Sequence, residues 1–366
     1  MIALLFIILF LYVLLICFFI FGFAKMKPIS IYETSPKNKF SIIVPFRNEA
    51  NTLPKLLTTL GLQNYPKEMY EVLLVDDDSK EKFQIPSSKT HIRVINNIRK
   101  SNSPKKDAIE TAIKTASYDW IITTDADCLA PSNWLHTIDN YIQQTHKKMV
   151  VAGVCYIPKK GFLHAFQNLD FLSLQGATIG SFGLNQPFMC NGANFTYKKD
   201  FFFSLNGFEG NDLIASGDDV FLLQKAIQKE KSSVGFCMHP KSVIETESVS
   251  SWKKLFFQRV RWASKSTAYY SLFGKSAAII VFLSIICWLL LLFLSLIKQT
   301  SFENFVVCSG IKFLVDSILL LQASSYFKSK IRWLSASLLF YPFFSVTVAF
   351  YALFGQYTWK GRTFKK

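Results

Sequence analysis

The chain has 366 residues, enough for one or two domains, and half of them are hydrophobic, with 36 phenylalanines. That is more apolar than an ordinary soluble domain, so part of the chain belongs in lipid. The formal net charge of +16 suits an anionic membrane surface or nucleic-acid phosphate, but the basic residues are spread out, form no Arg/Gly tract or aromatic-interleaved basic helix, and often flank apolar runs; nucleic acid is set aside as a partner and the membrane is kept.

Residues 2–24 carry no charge, and at ~1.5 Å rise per residue such a run crosses a ~30 Å hydrocarbon core. It reads as a membrane anchor and not a cleaved signal peptide: the run is too long for an h-region, no basic n-region precedes it and no A-x-A site follows. Lys25 and Lys27 come next, which places the middle of the chain in the cytoplasm by the positive-inside tendency. Seven cysteines are scattered, three of them (Cys17, Cys287, Cys308) inside apolar stretches and none in Cys-x-x-Cys spacing. Neither a disulfide framework nor a zinc site is indicated, and a reduced compartment fits.

The segment after the anchor starts with FSIIVPFRNEA, a buried-strand run stopped by Pro45, and NTLPKLLTTLG, with apolar residues at helical spacing up to a glycine. YEVLLVDDDS, HIRVIN, the helix candidate KKDAIETAIKTA and DWIITTDAD continue the alternation, which predicts an α/β domain with a mostly parallel sheet and crossover helices. Open sheets of this kind bind ligands beyond the carboxyl ends of their strands, where Arg47, Asp76, Asp77, Asp125 and Asp127 fall. The Asp-x-Asp spacing alone fits either a metal pair or a solvated loop, yet acidic or polar clusters at three strand ends converge on one crevice. No Gly-x-Gly-x-x-Gly or Walker loop is present, so a glycine cradle for phosphate is not supported.

Residues from about 155 to 240 look less regular, with NGANFTYKKDFF, LNGFEG and SGDDVFLLQKA marking turns followed by short helices; this half is read as the acceptor side. A helix over residues 251–270 contains QRVRW and puts Gln258, Arg261 and Trp262 on one face. Its basic and aromatic character suits the bilayer interface. Apolar stretches near residues 276–297, 305–327 and 333–354 complete the membrane part. Lys312 and Asp316, i and i+4 within one stretch, mark either a lipid or sugar passage or an interhelix polar contact. Four full crossings conflict with the basic tail WKGRTFKK, and Pro342 makes the last stretch a candidate kinked or re-entrant element. His239 reads as a structural loop residue and the phenylalanines at 201–203 as packing.

VPFRNEA, VDDDS, TTDADC, NGANFTY, GDDVFLL and QRVRW, in that order, resemble the motifs of membrane-bound family 2 glycosyltransferases. These are GT-A nucleotide-sugar-binding proteins that include processive polysaccharide synthases and lipid-directed sugar transferases. The resemblance covers roughly residues 40–262. It implies a nucleotide-sugar side formed by Pro45, Arg47, Glu49, Asp76, Asp77, Lys105, Asp125 and Arg261, with Asp76 and Asp77 at the base and ribose of a nucleotide such as UDP. Asp127, with Asp125, would hold Mg²⁺ or Mn²⁺ on the diphosphate, because a hard ion takes oxygen ligands from both carboxylates. Pro104 stands where the family often has glycine, so Lys105 is read either at the nucleotide or as a solvated helix-start lysine.

Asp219 matches the family's catalytic base, with Asp218 beside it where Glu is frequent. A sugar hydroxyl is too weak an acid to ionise beforehand, so deprotonation accompanies attack and the anomeric carbon inverts. The alternative is that both acids merely begin a helix. The resemblance puts Arg261 at the diphosphate and Gln258 and Trp262 at the acceptor; interfacial anchoring is the other reading. Asn191 and Asn194 line the acceptor pocket or serve as turn residues.

The expected layout is an anchor over 1–24, a GT-A domain over 25–250, an interfacial helix over 251–275, and membrane segments with a basic tail over 276–366. The expected function is that of an integral protein of a bacterial-type inner or cell membrane, active in the cell envelope. It would be a metal-dependent inverting hexosyltransferase, passing a sugar from a nucleotide-sugar donor, a UDP-sugar first, to a lipid or lipid-linked acceptor. The alternatives are a processive polysaccharide synthase, which three late apolar segments poorly suit, and a non-catalytic nucleotide-sugar-binding membrane protein. Donor sugar, acceptor and oligomeric state stay open.

Overall fold

The computed structural model describes residues 2–32, 34–85, 91–211, 214, 216–265, 268–354, 357–359 and 362–364, with side chains through Leu353. The chain enters through α1 (Ile2–Lys25) and alternates through β1 (Phe40–Phe46), α2 (Leu53–Gly61), β2 (Tyr70–Asp76), β3 (His91–Asn96), α3 (Pro104–Thr115), β4 (Trp120–Thr123), β5 (Cys128–Leu129) and α4 (Trp134–Thr145). It continues through β6 (Met149–Ala152), β7 (Val154–Tyr156), α5 (Phe162–Gly183), β8 (Phe195–Lys198), α6 (Lys199–Ser204), α7 (Asp218–Glu230), β9 (Val234–Cys237), β10 (Ile244–Thr246) and α8 (Trp252–Ala263). The last helices are α9 (Leu272–Leu296), α10 (Phe302–Phe327) and α11 (Leu334–Phe354), before the short antiparallel pair β11 (Tyr357–Trp359) and β12 (Arg362–Phe364).

Seven strands form one sheet in the order β3-β2-β1-β4-β8-β6-β9. All are parallel to their neighbours except β8, which runs antiparallel between β4 and β6. The sheet is thus the mostly parallel one expected, and β5, β10 and β7 make a small second sheet. Strand alternation sorts the core: Phe40, Ile42, Val44 and Phe46 pack toward α2 and α4, while Ile43 faces the helices on the other side.

The irregular region expected between 155 and 240 is instead opened by α5, a single helix of 22 residues. It is apolar nearly all round and buries Gln167, Asp170, Gln175 and Thr178 as well, so it shows no clean 3.6-residue stripe and escapes a periodicity reading. α5 crosses α1 at very short range: a Cβ on Gly183 would stand 1.8 Å from the Gly22 carbonyl oxygen, and one on Gly180 2.4 Å from that of Phe19. Only hydrogen fits there. Through α5 the sheet core and the membrane-type helices become one packed body, with Ile43, Met149, Leu172, Ile179, Leu320 and Phe327 in a single cluster.

Among the described residues, four helices are long and apolar enough to cross a membrane: Ile2–Lys25, Leu272–Leu296, Phe302–Phe327 and Leu334–Leu353. Phe10, Phe18, Phe293, Leu314, Phe343 and Phe350 are exposed on them, as lipid-facing side chains would be. Two boundaries differ from expectation. α8 ends at Ala263, not near 270, and α9 starts at Leu272 because the Ser271 hydroxyl caps it by accepting from the Gly274 amide. α11 stays continuous through Pro342. In the basic tail, Lys360, Gly361, Lys365 and Lys366 lie outside the described residues.

Candidate active site

The carboxyl ends of β1, β2 and β4 point into one crevice, which opens into a cavity of about 1080 Å³. Of the expected donor-side residues, Pro45, Arg47, Glu49, Asp77, Lys105, Asp125, Asp127 and Arg261 line it. Arg47 donates from Nη1 to the Asp77 carbonyl at 2.6 Å and to Asp78 Oδ2 at 3.2 Å. Asn97 donates to Asp77 Oδ1 at 2.7 Å, with the Arg99 guanidinium 3.7 Å away. Asp76 is not brought to the cavity: its Oδ1 accepts from the Ser79 amide at 2.9 Å and closes the turn after β2.

β4 stops at Thr123, so Asp125 and Asp127 sit in the turn before β5 and not within a strand. The Thr123 hydroxyl donates to the Gly192 carbonyl at 2.8 Å, which brings the turn carrying Asn191 beside that pair. Asn191 lines the cavity and its side chain accepts from the Ala193 amide. Asn194 does not reach the cavity. It is buried, donating to the carbonyls of Gly153 and Ser242 and accepting from the Trp134 indole, so its side chain braces the fold.

α7 begins with Asp218 and Asp219. Gly217 before it has φ +84°, where a Cβ would stand 2.7 Å from the Phe221 ring, so a glycine turns the chain onto the helix. Asp219 accepts from the Val220 amide at 2.7 Å and, across the crevice, from the Gly192 amide at 2.9 Å. Two lysines face this acidic group. Lys105, in the first turn of α3, stands 2.8 Å from Asp125 Oδ1 and 3.3 Å from Asp218 Oδ2. Lys265, just beyond α8, stands 3.5 Å from Asp219 Oδ1.

Burial alone would raise the Asp219 pKa, but the ammonium groups of Lys265 and Lys105 and the Val220 and Gly192 amides hold it below the usual carboxylate range. Burial likewise disfavours the Lys105 ammonium, yet Asp125 and Asp218 keep its pKa above the usual lysine range. Asp219 does the same for Lys265. The crevice is therefore a set of carboxylates matched by ammonium groups. Among the described residues, no three His, Cys, Asp or Glu side chains come together as a preformed metal cage.

The membrane-side wall comes from α8. Gln258, Arg261 and Trp262 all line the cavity, as their shared helical face predicts. The residue that holds Gln258 and Trp262 was not legible: Arg259 pairs with Asp170 of α5 at 2.5 Å, donates to Gln258 Oε1 at 2.6 Å and stacks 4.2 Å from the Trp262 ring centroid. Both partners are buried. An Arg inside a helix gives no sequence signal for an acid 89 positions away. Beyond α8 the cavity is apolar, walled by Phe19, Val281, Ile285, Leu319 and Phe344 of the membrane-type helices. His239 is structural, its ring accepting from the Lys241 amide; Phe201 and Phe202 are buried and Phe203 is exposed.

Residues 41–203 match the model of glycosyl transferase family 2. The mannosyltransferase PcManGT of Pyrobaculum calidifontis, solved with GDP-Man and Mn²⁺, is 16% identical, with 96% of this chain and 95% of that chain covered and a TM-score of 0.52. TarS of S. aureus, residues 1–349, is 15% identical, with 89% of this chain and 95% of that chain covered and a TM-score of 0.41. The mannosyltransferase shares the fold of this chain along nearly its whole length, membrane-type helices included in the covered share. Residues 41–203 of this chain are therefore a glycosyl transferase family 2 domain, within a GT-A fold.

Proposed function

We propose that the protein is an inverting glycosyltransferase that moves a sugar from a nucleotide-sugar, a UDP-sugar first, to the hydroxyl of a lipid or lipid-linked acceptor at the membrane. One observation carries this reading: a single cavity runs from Asp125, Asp127, Asp218 and Asp219 to the apolar side chains of α1, α9, α10 and α11. A water-soluble acceptor has no use for the second half. Residues 25–250 would form the catalytic domain on the cytoplasmic side, a sidedness that Lys25 and Lys27 support.

Arg47, Glu49 and Asp77 line the end of the crevice that suits the nucleotide, and the planar Arg261 guanidinium suits two phosphate oxygens. Asp125 and Asp127 offer hard oxygen donors fitting Mg²⁺ or Mn²⁺, and the ammonium of Lys105 beside Asp125 already marks a place shaped for a cation. The remaining ligands would come from the donor's diphosphate. When bound, such an ion supplies charge neutralisation for the leaving group. Asp219, held ionised, takes the proton of the acceptor hydroxyl as its oxygen bonds to the anomeric carbon. In the same step the bond from that carbon to the diphosphate oxygen breaks, and its electron pair leaves with the nucleoside diphosphate. Trp262, Gln258 and Asn191, which line the same cavity, would face the acceptor.

Nucleotide release from a panel of UDP- and GDP-sugars tests the proposal, using detergent-solubilised protein with membrane lipid extract, with and without Mn²⁺. The expected result is that one donor is consumed, only with metal, by wild type and not by Asp127→Ala, and that the labelled product extracts with lipid. Consumption unaffected by Asp127→Ala would remove the metal role, and long water-soluble chains from a single donor would establish a processive synthase instead.

A further inference from the structure

A polar triad stands inside the apolar limb of the cavity. Asp316 of α10 accepts from the Tyr12 hydroxyl of α1 at 2.6 Å and from the Lys312 ammonium, one turn earlier, at 2.6 Å. Lys312 also lies 4.6 Å from the Tyr12 ring centroid. Lys312 and Tyr12 are buried, and Tyr12 and Asp316 line the same cavity as Asp219. At ~1.5 Å per residue, Asp316 lies roughly 16 Å along α10 from Phe327, and Tyr12 roughly 20 Å along α1 from Lys25. Those are the helix ends joined to the sheet core through Phe23 and Phe327. In a bilayer spanned by α1 and α10 the triad would thus lie near the middle of the hydrocarbon layer, away from the helix ends that join the sheet core.

An ion pair at that depth is costly, and apolar side chains of similar volume often replace a buried pair with neutral or stabilising effect. Helix pairing does not require it: α1 is already fixed by its close crossing with α5, and Ile16 and Phe19 pack with Leu319 around the triad. A saturated chain pressed against Asp316 would cover a carboxylate without offering it a donor, an unfavourable exchange. A hydroxyl would donate to it, and a hydrogen bond to an ionised acceptor is roughly twice as strong as one between neutral groups.

We infer that Tyr12, Lys312 and Asp316 form a recognition site for a hydroxyl carried on the hydrophobic chain of the acceptor, remote from the hydroxyl that reacts at Asp219. The acceptor is then an amphiphile with a polar group at each end, one in the crevice and one at mid-membrane. This rests on the lipid-acceptor reading above.

Thermal unfolding of the full chain in detergent, with hexadecanol or with its α,ω-diol, tests the site without knowledge of the donor, since a ligand of the folded state raises the midpoint with its affinity. The expected result for wild type is an apparent Kd for the diol about tenfold below that for hexadecanol, equivalent to ~1.4 kcal/mol. Lys312→Met/Asp316→Leu, which keeps the volume, abolishes the difference, and the milder Asp316→Asn narrows it several-fold. Equal affinities in wild type, a preference that survives Lys312→Met/Asp316→Leu, or one left undiminished by Asp316→Asn, overturn the triad's role and leave a lipid acceptor standing. No stabilisation by either compound contradicts the lipid-acceptor reading itself.

Discussion

The ammonium of Lys265 stands 3.5 Å from Asp219 Oδ1, joining the link between α8 and α9 to the first turn of α7. It couples the membrane-side wall of the cavity to the carboxylate best placed to act as a base. Lys105, Asp218, Tyr269 and Cys190 also face that carboxylate. Lys265→Met removes the foremost charge that lowers the Asp219 pKa, so the pKa rises and the ionised base is lost at higher pH than in wild type. The acid limb of kcat/KM against pH should shift upward, with Lys265→Arg restoring it. A uniform loss with an unchanged profile would make Lys265 structural only.

Asp219→Asn keeps the shape of the helix start but cannot take a proton. Transfer should fall about 10²- to 10⁴-fold, while the donor still binds by calorimetry. Unchanged transfer would remove the base from the mechanism.

A divalent ion held by Asp125 and Asp127, as proposed, would compete with the Lys105 ammonium 2.8 Å from Asp125. In Lys105→Met, Mn²⁺ measured by electron paramagnetic resonance without donor should bind several-fold more tightly, because two carboxylates lose their counter-charge. Donor affinity should fall in the same protein. Weaker Mn²⁺ binding would show that Lys105 organises the carboxylates and does not compete for them.

The Arg259 and Asp170 pair is buried on both sides. Asp170→Ala leaves the buried Arg259 charge without its partner, at a cost of about 3–5 kcal/mol. It also frees Gln258 and Trp262 from their support. Unfolding in detergent reads the first effect. A stability within about 1 kcal/mol of wild type would mean that water or lipid already screens the pair.

At the α1–α5 crossing, Gly183→Ala puts a methyl group where only 1.8 Å separates it from the Gly22 carbonyl oxygen. The helices must part, and about 1–3 kcal/mol of stability should be lost. The companion Gly61→Ala, whose Cβ meets nothing within 4 Å, should leave the midpoint unchanged.

The strands and helices from β1 to β4, the membrane-type helices and the order of motifs were all legible in the chain. Each rests on residues close in sequence: Phe40, Ile42 and Val44 alternate along β1, and an uncharged run such as residues 2–24 declares itself by length. The shared face of Gln258, Arg261 and Trp262 follows from 3.6 residues per turn alone. α5 failed the same test because it is buried on all sides and so has no polar face to set its period.

The α/β alternation, the apolar spans and the carboxylates beyond strand ends follow from the order of residues alone, because periodicity and hydropathy are properties of neighbours along the chain. What those groups do to one another depends on how the chain packs in three dimensions. Asn194 became a brace because Gly153, Ser242 and Trp134 surround it; Asp170 met Arg259 across 89 positions, and Tyr12 met Asp316 across 304. Such pairings depend on where helices cross, down to the missing side chains of Gly22 and Gly183, and a burial or a charge pair of that kind leaves no local pattern to read.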